Sequence, residues 1–123
     1  MAKRITIIED EADIVELVRY NFLKEGFEVR SFSRGKTGLE DLQRNPTDLI
    51  ILDIMLPDLD GFDVCRRLRS HERLKAIPVI FLTAKVQAAD RQMFMELGVQ
   101  GLIAKPFDPM TLAASVGALL HWN

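Results

Sequence analysis

Three acids, one threonine and one lysine stand where short apolar runs stop. Glu9 and Asp10 follow Ile5-Thr6-Ile7-Ile8, and Asp53 follows Leu49-Ile50-Ile51-Leu52. Thr83 closes Val79-Ile80-Phe81-Leu82, and Lys105 follows Leu102-Ile103-Ala104. Carboxylates brought to one edge repel each other unless something positive lies among them. A hard cation such as Mg²⁺ suits that set, because it takes oxygen ligands from few protein groups and keeps water for the rest. Lys105 offers one further positive charge.

The elements that must position these residues follow from periodicity. Ile14, Leu17, Val18 and Phe22 recur at helical spacing, with Gly26 as a stop. Phe27 to Phe32 alternates like an edge strand, and Ser33 is the expected cap of a helix carrying Leu39 and Leu42 that ends before Pro46. Leu49 to Leu52 is apolar on both faces, as a central parallel strand must be. Phe62, Cys65 and Leu68 trace a third helix, Ala88 to Leu97 a fourth that stops at Gly98, and Asp108-Pro109 are expected as N-cap and N1 of a fifth. This (βα)5 alternation predicts an α/β fold, a parallel five-stranded sheet with helices on both faces. In such sheets chemistry gathers at the carboxyl ends of the strands, which is where the acids stand.

Composition excludes several classes. The 123 residues are 48% hydrophobic and 28% charged, with 16 basic and 18 acidic residues giving a net charge of −2. That balance argues against non-specific nucleic-acid binding. The single cysteine, Cys65, excludes an intramolecular disulfide and a multi-cysteine zinc site, and its spacing places it in the core. The apolar run after Met1-Ala2-Lys3-Arg4 is too short for a signal peptide, and no run approaches the ~20 apolar residues of a membrane span, so a soluble cytoplasmic chain of one domain, residues 1–123, is expected. Glu11 or Asp13 is expected to cap the first helix, leaving Asp10 for metal. The Arg66-Arg67-Arg69-Arg73-Lys75 run reads as a solvated helix end rather than a DNA patch, and His71 and His121 read as surface residues.

Five segments in order resemble the receiver domain of two-component response regulators: Ile7-Ile8-Glu9-Asp10-Glu11, Leu52-Asp53-Ile54-Met55-Leu56-Pro57, Asp60-Gly61, Leu82-Thr83-Ala84 and Lys105-Pro106-Phe107. Together they cover essentially the whole chain. The resemblance implies a flavodoxin-like three-layer sandwich with strand order 2-1-3-4-5. It also implies that Asp53 is the phosphoacceptor and that Asp10 and Asp53 ligate Mg²⁺ (Mn²⁺ as an alternative), with the Met55 carbonyl as a further ligand and Glu9 acting through water. Lys105 and the Thr83 hydroxyl with the Ala84 N–H would bind the other phosphoryl oxygens, Thr83 moving as the switch. The donor would be a phosphohistidine on a sensor histidine kinase or phosphotransfer protein. Such a domain is a switch that catalyses only its own phosphotransfer and autodephosphorylation. A carboxylate is a poor nucleophile, so this role depends on groups that neutralise and position the incoming phosphoryl oxygens.

Two departures from the family stand out. Leu102 occupies the position that often carries an aromatic switch residue, and it offers no hydroxyl. The sequence is most similar to receivers of winged-helix transcription factors, which dimerise through charged pairs on the fourth helix, fifth strand and fifth helix. Arg91 fits, but from Val99 onward only Lys105 and Asp108 are charged. Leu112, Val116, Leu119 and Leu120 are expected in the core, which leaves Ala113, Ala114, Ser115, Gly117 and Ala118 outward. A face of Arg91, Val99, Gln100, Leu102, Ala114, Ser115, Ala118 and Trp122 is therefore expected to meet a second copy or a downstream protein, with no nucleic acid or membrane bound by this domain. Three other functions fit less well. A haloacid-dehalogenase-like phosphohydrolase needs a second acid where Met55 stands, and a flavin module needs a Gly-rich loop where Glu9-Asp10-Glu11 would repel phosphate. A phosphorylation-independent interaction module would have no use for the full acid set.

Overall fold

A computed structural model describes residues 3–84 and 88–121. Strands β1 (Arg4–Ile8), β2 (Glu28–Phe32), β3 (Leu49–Leu52), β4 (Val79–Thr83) and β5 (Gly101–Ala104) alternate with helices α1 (Ala12–Lys24), α2 (Gly35–Arg44), α3 (Gly61–Arg69), α4 (Ala88–Glu96) and α5 (Leu112–Leu120). All strand pairs are parallel, and the sheet order is β2-β1-β3-β4-β5. This is the flavodoxin-like sandwich that the alternation and the resemblance predict.

Side-chain alternation splits the core in two. Ile50 and Leu52 of β3 face one layer with Leu39, Val64, Leu68, Phe81 and Phe94, beneath α2, α3 and α4. Leu49 and Ile51 face the other with Ile5, Ile7, Phe22, Leu112 and Val116, beneath α1 and α5. Each fully buried side chain of this size contributes roughly 1.5–3 kcal/mol. Phe62, Phe81 and Phe94 meet at ring-centroid separations of 5.2–5.6 Å and join α3, β4 and α4.

Several local expectations are corrected. Ser33 does not cap α2; Arg34 holds that position without a side-chain bond. The Asp58 carboxylate serves instead, accepting from the N–H groups of Gly35 at 2.8 Å and Lys36 at 3.0 Å. Asp108 and Pro109 do not begin α5, because Asp108 closes a turn of its own. Its Oδ1 accepts from Met110 N at 2.9 Å and its carbonyl from Thr111 N at 3.2 Å, so the helix starts after Thr111. Leu119 is exposed rather than core. Leu119 lies over Gly101, where an added Cβ would sit 2.6 Å from its Cδ1. Arg69 is not a solvated helix end: its guanidinium donates to the carbonyls of Leu97, Lys75, Ile77 and Gly98, fastening α3 to the end of α4. Cys65 is fully buried, as expected.

Candidate functional site

The strand ends are laced together one residue past the regular ladders. Glu9 N donates to Phe32 O at 3.0 Å, Asp53 N to Ile8 O at 3.0 Å and Lys105 N to Thr83 O at 2.9 Å. These bonds fix the backbone of each polar residue against the neighbouring strand. The Lys105–Pro106 peptide is cis.

Beyond Asp53, the chain turns into α3 through Asp60, whose carboxylate accepts from Phe62 N at 2.7 Å as an N-cap. Gly61 N reaches back to Ile54 O at 2.6 Å. Only a glycine permits this approach, since a Cβ at residue 61 would lie 2.3 Å from Asp53 O.

The side chains converge as expected. Glu9, Asp10 and Asp53 each place a carboxylate oxygen within 4.8 Å of the others. Glu9 and Asp53 are buried and Asp10 is exposed, so the cluster opens to water on one side. Asp53 Oδ1 accepts from Met55 N at 3.3 Å and Oδ2 from Lys105 Nζ at 3.4 Å. Lys105 Nζ forms an ion pair with Glu9 Oε1 at 2.5 Å. Thr83 is buried at the end of the adjacent strand, and Ala84 beyond it is exposed.

Burial pushes the Glu9 carboxyl up to about 7, with the nearby Asp53 adding to the rise; Lys105 and the Glu11 N–H pull against it. Burial works downward on Lys105, but the Glu9 contact, followed by Asp53 and Glu11, holds its ammonium above the ordinary value. A cation has a place in this arrangement. Glu9, Asp10 and Asp53 bring their carboxylate oxygens within 4.8 Å of one another, and this donor set is all oxygen, as hard divalent cations require.

Met55 joins the site through its amide, while its side chain is exposed. Leu102 pairs in register with Phe81 and packs against the layer under α2, α3 and α4. Arg91, Gln100, Ala114, Ser115 and Ala118 are exposed and Val99 is half-buried; Trp122 lies outside the described residues. Leu102, Phe107, Ser115, Ala118 and Leu119 border a groove of about 530 Å³ between β5 and α5.

Glu11 was expected at most as a helix cap. It does stand at the N-cap of α1 without a cap bond, and its carboxylate binds Lys105 instead. The signal was an acid directly after the Glu9-Asp10 pair, but its partner lies across the sheet. The capping role of Asp58 is likewise a contact between distant segments.

Residues 5–117 match the family model for the response regulator receiver domain. The transcriptional regulatory protein GltR of Pseudomonas aeruginosa is 44% identical over 97% of this chain and 49% of its own length. The alkaline phosphatase synthesis transcriptional regulatory protein PhoP of Bacillus subtilis is 39% identical over 98% of this chain and 50% of its own. The chain thus spans about half the length of the curated relatives it matches. The chemotaxis response regulator CheY4 of Vibrio cholerae superposes with a TM-score of 0.90 at 25% identity, covering 97% of this chain and 99% of that one. Fold, site geometry and these matches agree, and the chain belongs to the response regulator receiver domains of two-component signal transduction.

Proposed function

We propose that residues 1–123 act as one phosphorelay receiver in which Asp53 accepts a phosphoryl group from the phosphohistidine of a sensor histidine kinase or phosphotransfer protein. The observation that carries this reading is the buried Asp53 carboxylate, 3.4 Å from the Lys105 ammonium and grouped with Glu9 and Asp10 at the open edge of the sheet. An Asp53 oxygen forms the new bond to phosphorus. The P–N bond breaks, and its electron pair returns to the protonated imidazole, which leaves neutral.

Phosphoryl transfer asks a protein mainly for positioning and charge stabilisation. Lys105 neutralises one phosphoryl oxygen, and the Thr83 hydroxyl with the Ala84 N–H receives another. Asp10 and Asp53, the Met55 carbonyl, and Glu9 through water are the groups that would hold Mg²⁺, or Mn²⁺ in its place. When bound, such a cation supplies further neutralisation of phosphoryl charge. The same groups would support autodephosphorylation. This intact set favours a phosphorylated switch over an interaction module that works without phosphate.

Thr83 moving toward the phosphoryl group would shift the packing of β4, α4 and β5, with Leu102 repacking beside Phe81 rather than swinging an aromatic ring. The altered face is that of α4, β5 and α5: Arg91, Val99, Gln100, Leu102, Ala114, Ser115, Ala118 and Trp122. Its charge-poor character suits a second copy or a downstream protein rather than nucleic acid. No helix among the described residues is long and apolar enough to cross a membrane, and work in the cytoplasm with a kinase fits the reading. BeF3⁻ with Mg²⁺ tests it. Amide NMR shifts around residues 53, 83 and 105 should change in the wild type and not in Asp53→Asn, and a response shared by both would contradict the assignment.

A further inference from the structure

Glu11 has no part in the chemistry so far, yet it sits in the site. It stands at the N-cap of α1, and its side chain makes no cap bond there. Its N–H donates to Glu9 Oε2 at 3.1 Å, and its Oε1 accepts from Lys105 Nζ at 3.2 Å.

An ammonium has three protons. Three carboxylates surround that of Lys105: Glu9 at 2.5 Å, Glu11 at 3.2 Å and Asp53 at 3.4 Å. The side chains of Glu9 and Asp53 are 1% and 6% exposed, whereas that of Glu11 is 61% exposed. Water can replace Lys105 at Glu11 at small cost, but a buried carboxylate left unpaired is expensive. A phosphoryl group on Asp53 would bring about two negative charges to the same ammonium.

We infer that Glu11 is a positioning residue that competes with the phosphoryl group for Lys105, holding the ammonium toward the mouth of the resting site and releasing it when Asp53 is modified. The inference rests on the proposed role of Asp53. Glu11 is the carboxylate most easily given up, and its charge opposes the arriving one. Its removal therefore favours the modified state. The contact links the acid loop after β1 directly to the end of β5, so the competition adjusts affinity at Asp53 without touching the attacking oxygen.

The test compares wild type, Glu11→Gln and Asp13→Asn by titration with BeF3⁻ at saturating Mg²⁺ and by phosphorylation with acetyl phosphate. In the latter an Asp53 oxygen bonds to phosphorus, the bond from phosphorus to the acetyl oxygen breaks, and acetate leaves with the electron pair. Charge balances without a proton. Glu11→Gln should bind BeF3⁻ about two- to fivefold more tightly, the range an exposed ion pair commands, and should react faster with acetyl phosphate. Its advantage should shrink at high salt. Asp13→Asn removes a charge from the same first turn of α1, from a residue that is not among the Lys105 contacts, and should match the wild type. Equal or weaker binding by Glu11→Gln overturns the inference, as does an equal gain in Asp13→Asn, which would mark a general charge effect. If the wild type itself binds no BeF3⁻, the role of Asp53 falls first and the inference with it.

Discussion

Gly61 lies so close to Asp53 that a Cβ on it would sit 2.3 Å from the Asp53 carbonyl oxygen and 2.6 Å from Ile54 Cα. Both are backbone atoms that cannot rotate away. Gly61→Ala gains up to about 1 kcal/mol of helix propensity, but the clash prevails. We expect a net loss of roughly 1–3 kcal/mol in urea denaturation, together with weaker BeF3⁻ binding because the segment after Asp53 must shift. Unchanged stability and binding would show that α3 starts elsewhere in solution.

Asp58 caps α2 from another loop, so it should matter to stability. Its carboxyl is held below its ordinary value of 3.8; what burial there is works upward, and the N–H groups of Lys36 and Gly35 outweigh it. A depressed folded-state value gives stability that is present above 3.8 and lost as pH falls through the lowered value. Asp58→Ala should cost about 0.5–2 kcal/mol at neutral pH, the usual loss at a helix cap. The gap to the wild type should begin to narrow below about pH 4, where the unfolded carboxyl takes up its proton first, and should close only once pH has fallen past the lowered folded value. A gap that stays constant down to pH 2 would remove the charge from the explanation.

Arg69 binds four carbonyls, two of them (Leu97 and Gly98) at the end of α4 and two (Lys75 and Ile77) in the connection to β4. A lysine cannot reproduce that fork. Arg69→Lys should lose about 2 kcal/mol and speed amide exchange at Leu97 and Gly98 more than in β1. Uniform acceleration across the domain would mean that Arg69 does not fasten α4 locally.

Cys65 is fully buried, and burial pushes its thiol up against the opposing pull of Arg69 and Arg66. The thiolate is the reactive form, so an aromatic disulfide reagent at pH 8 should label the native protein only as fast as it unfolds. Labelling should become immediate in urea. Fast labelling without denaturant would contradict the packing of α3.

The sheet and the site were legible for the same reason. Leu49 to Leu52 can only be a central strand, and a parallel sheet delivers whatever follows its strands to one edge, so Asp53, Glu9, Asp10 and Lys105 meet without any need to know their rotamers. Helix starts were less legible, because their caps came from elsewhere in the chain or gave way to turns. Asp58 serves α2 in place of Ser33, and Asp108 satisfies its own turn before α5. Glu11 and Arg69 were misjudged for a related reason. Their types suited solvent or a helix terminus, and only the fold brings Lys105 and the Leu97 carbonyl within their reach.

The most direct test is to incubate the protein with acetyl phosphate and Mg²⁺ and locate the modification by mass spectrometry after hydroxylamine or borohydride trapping. The account predicts one phosphoryl group, lost in Asp53→Asn and mapped to the peptide containing Asp53. A phosphoryl group on another residue, or equal incorporation in Asp53→Asn, would contradict it.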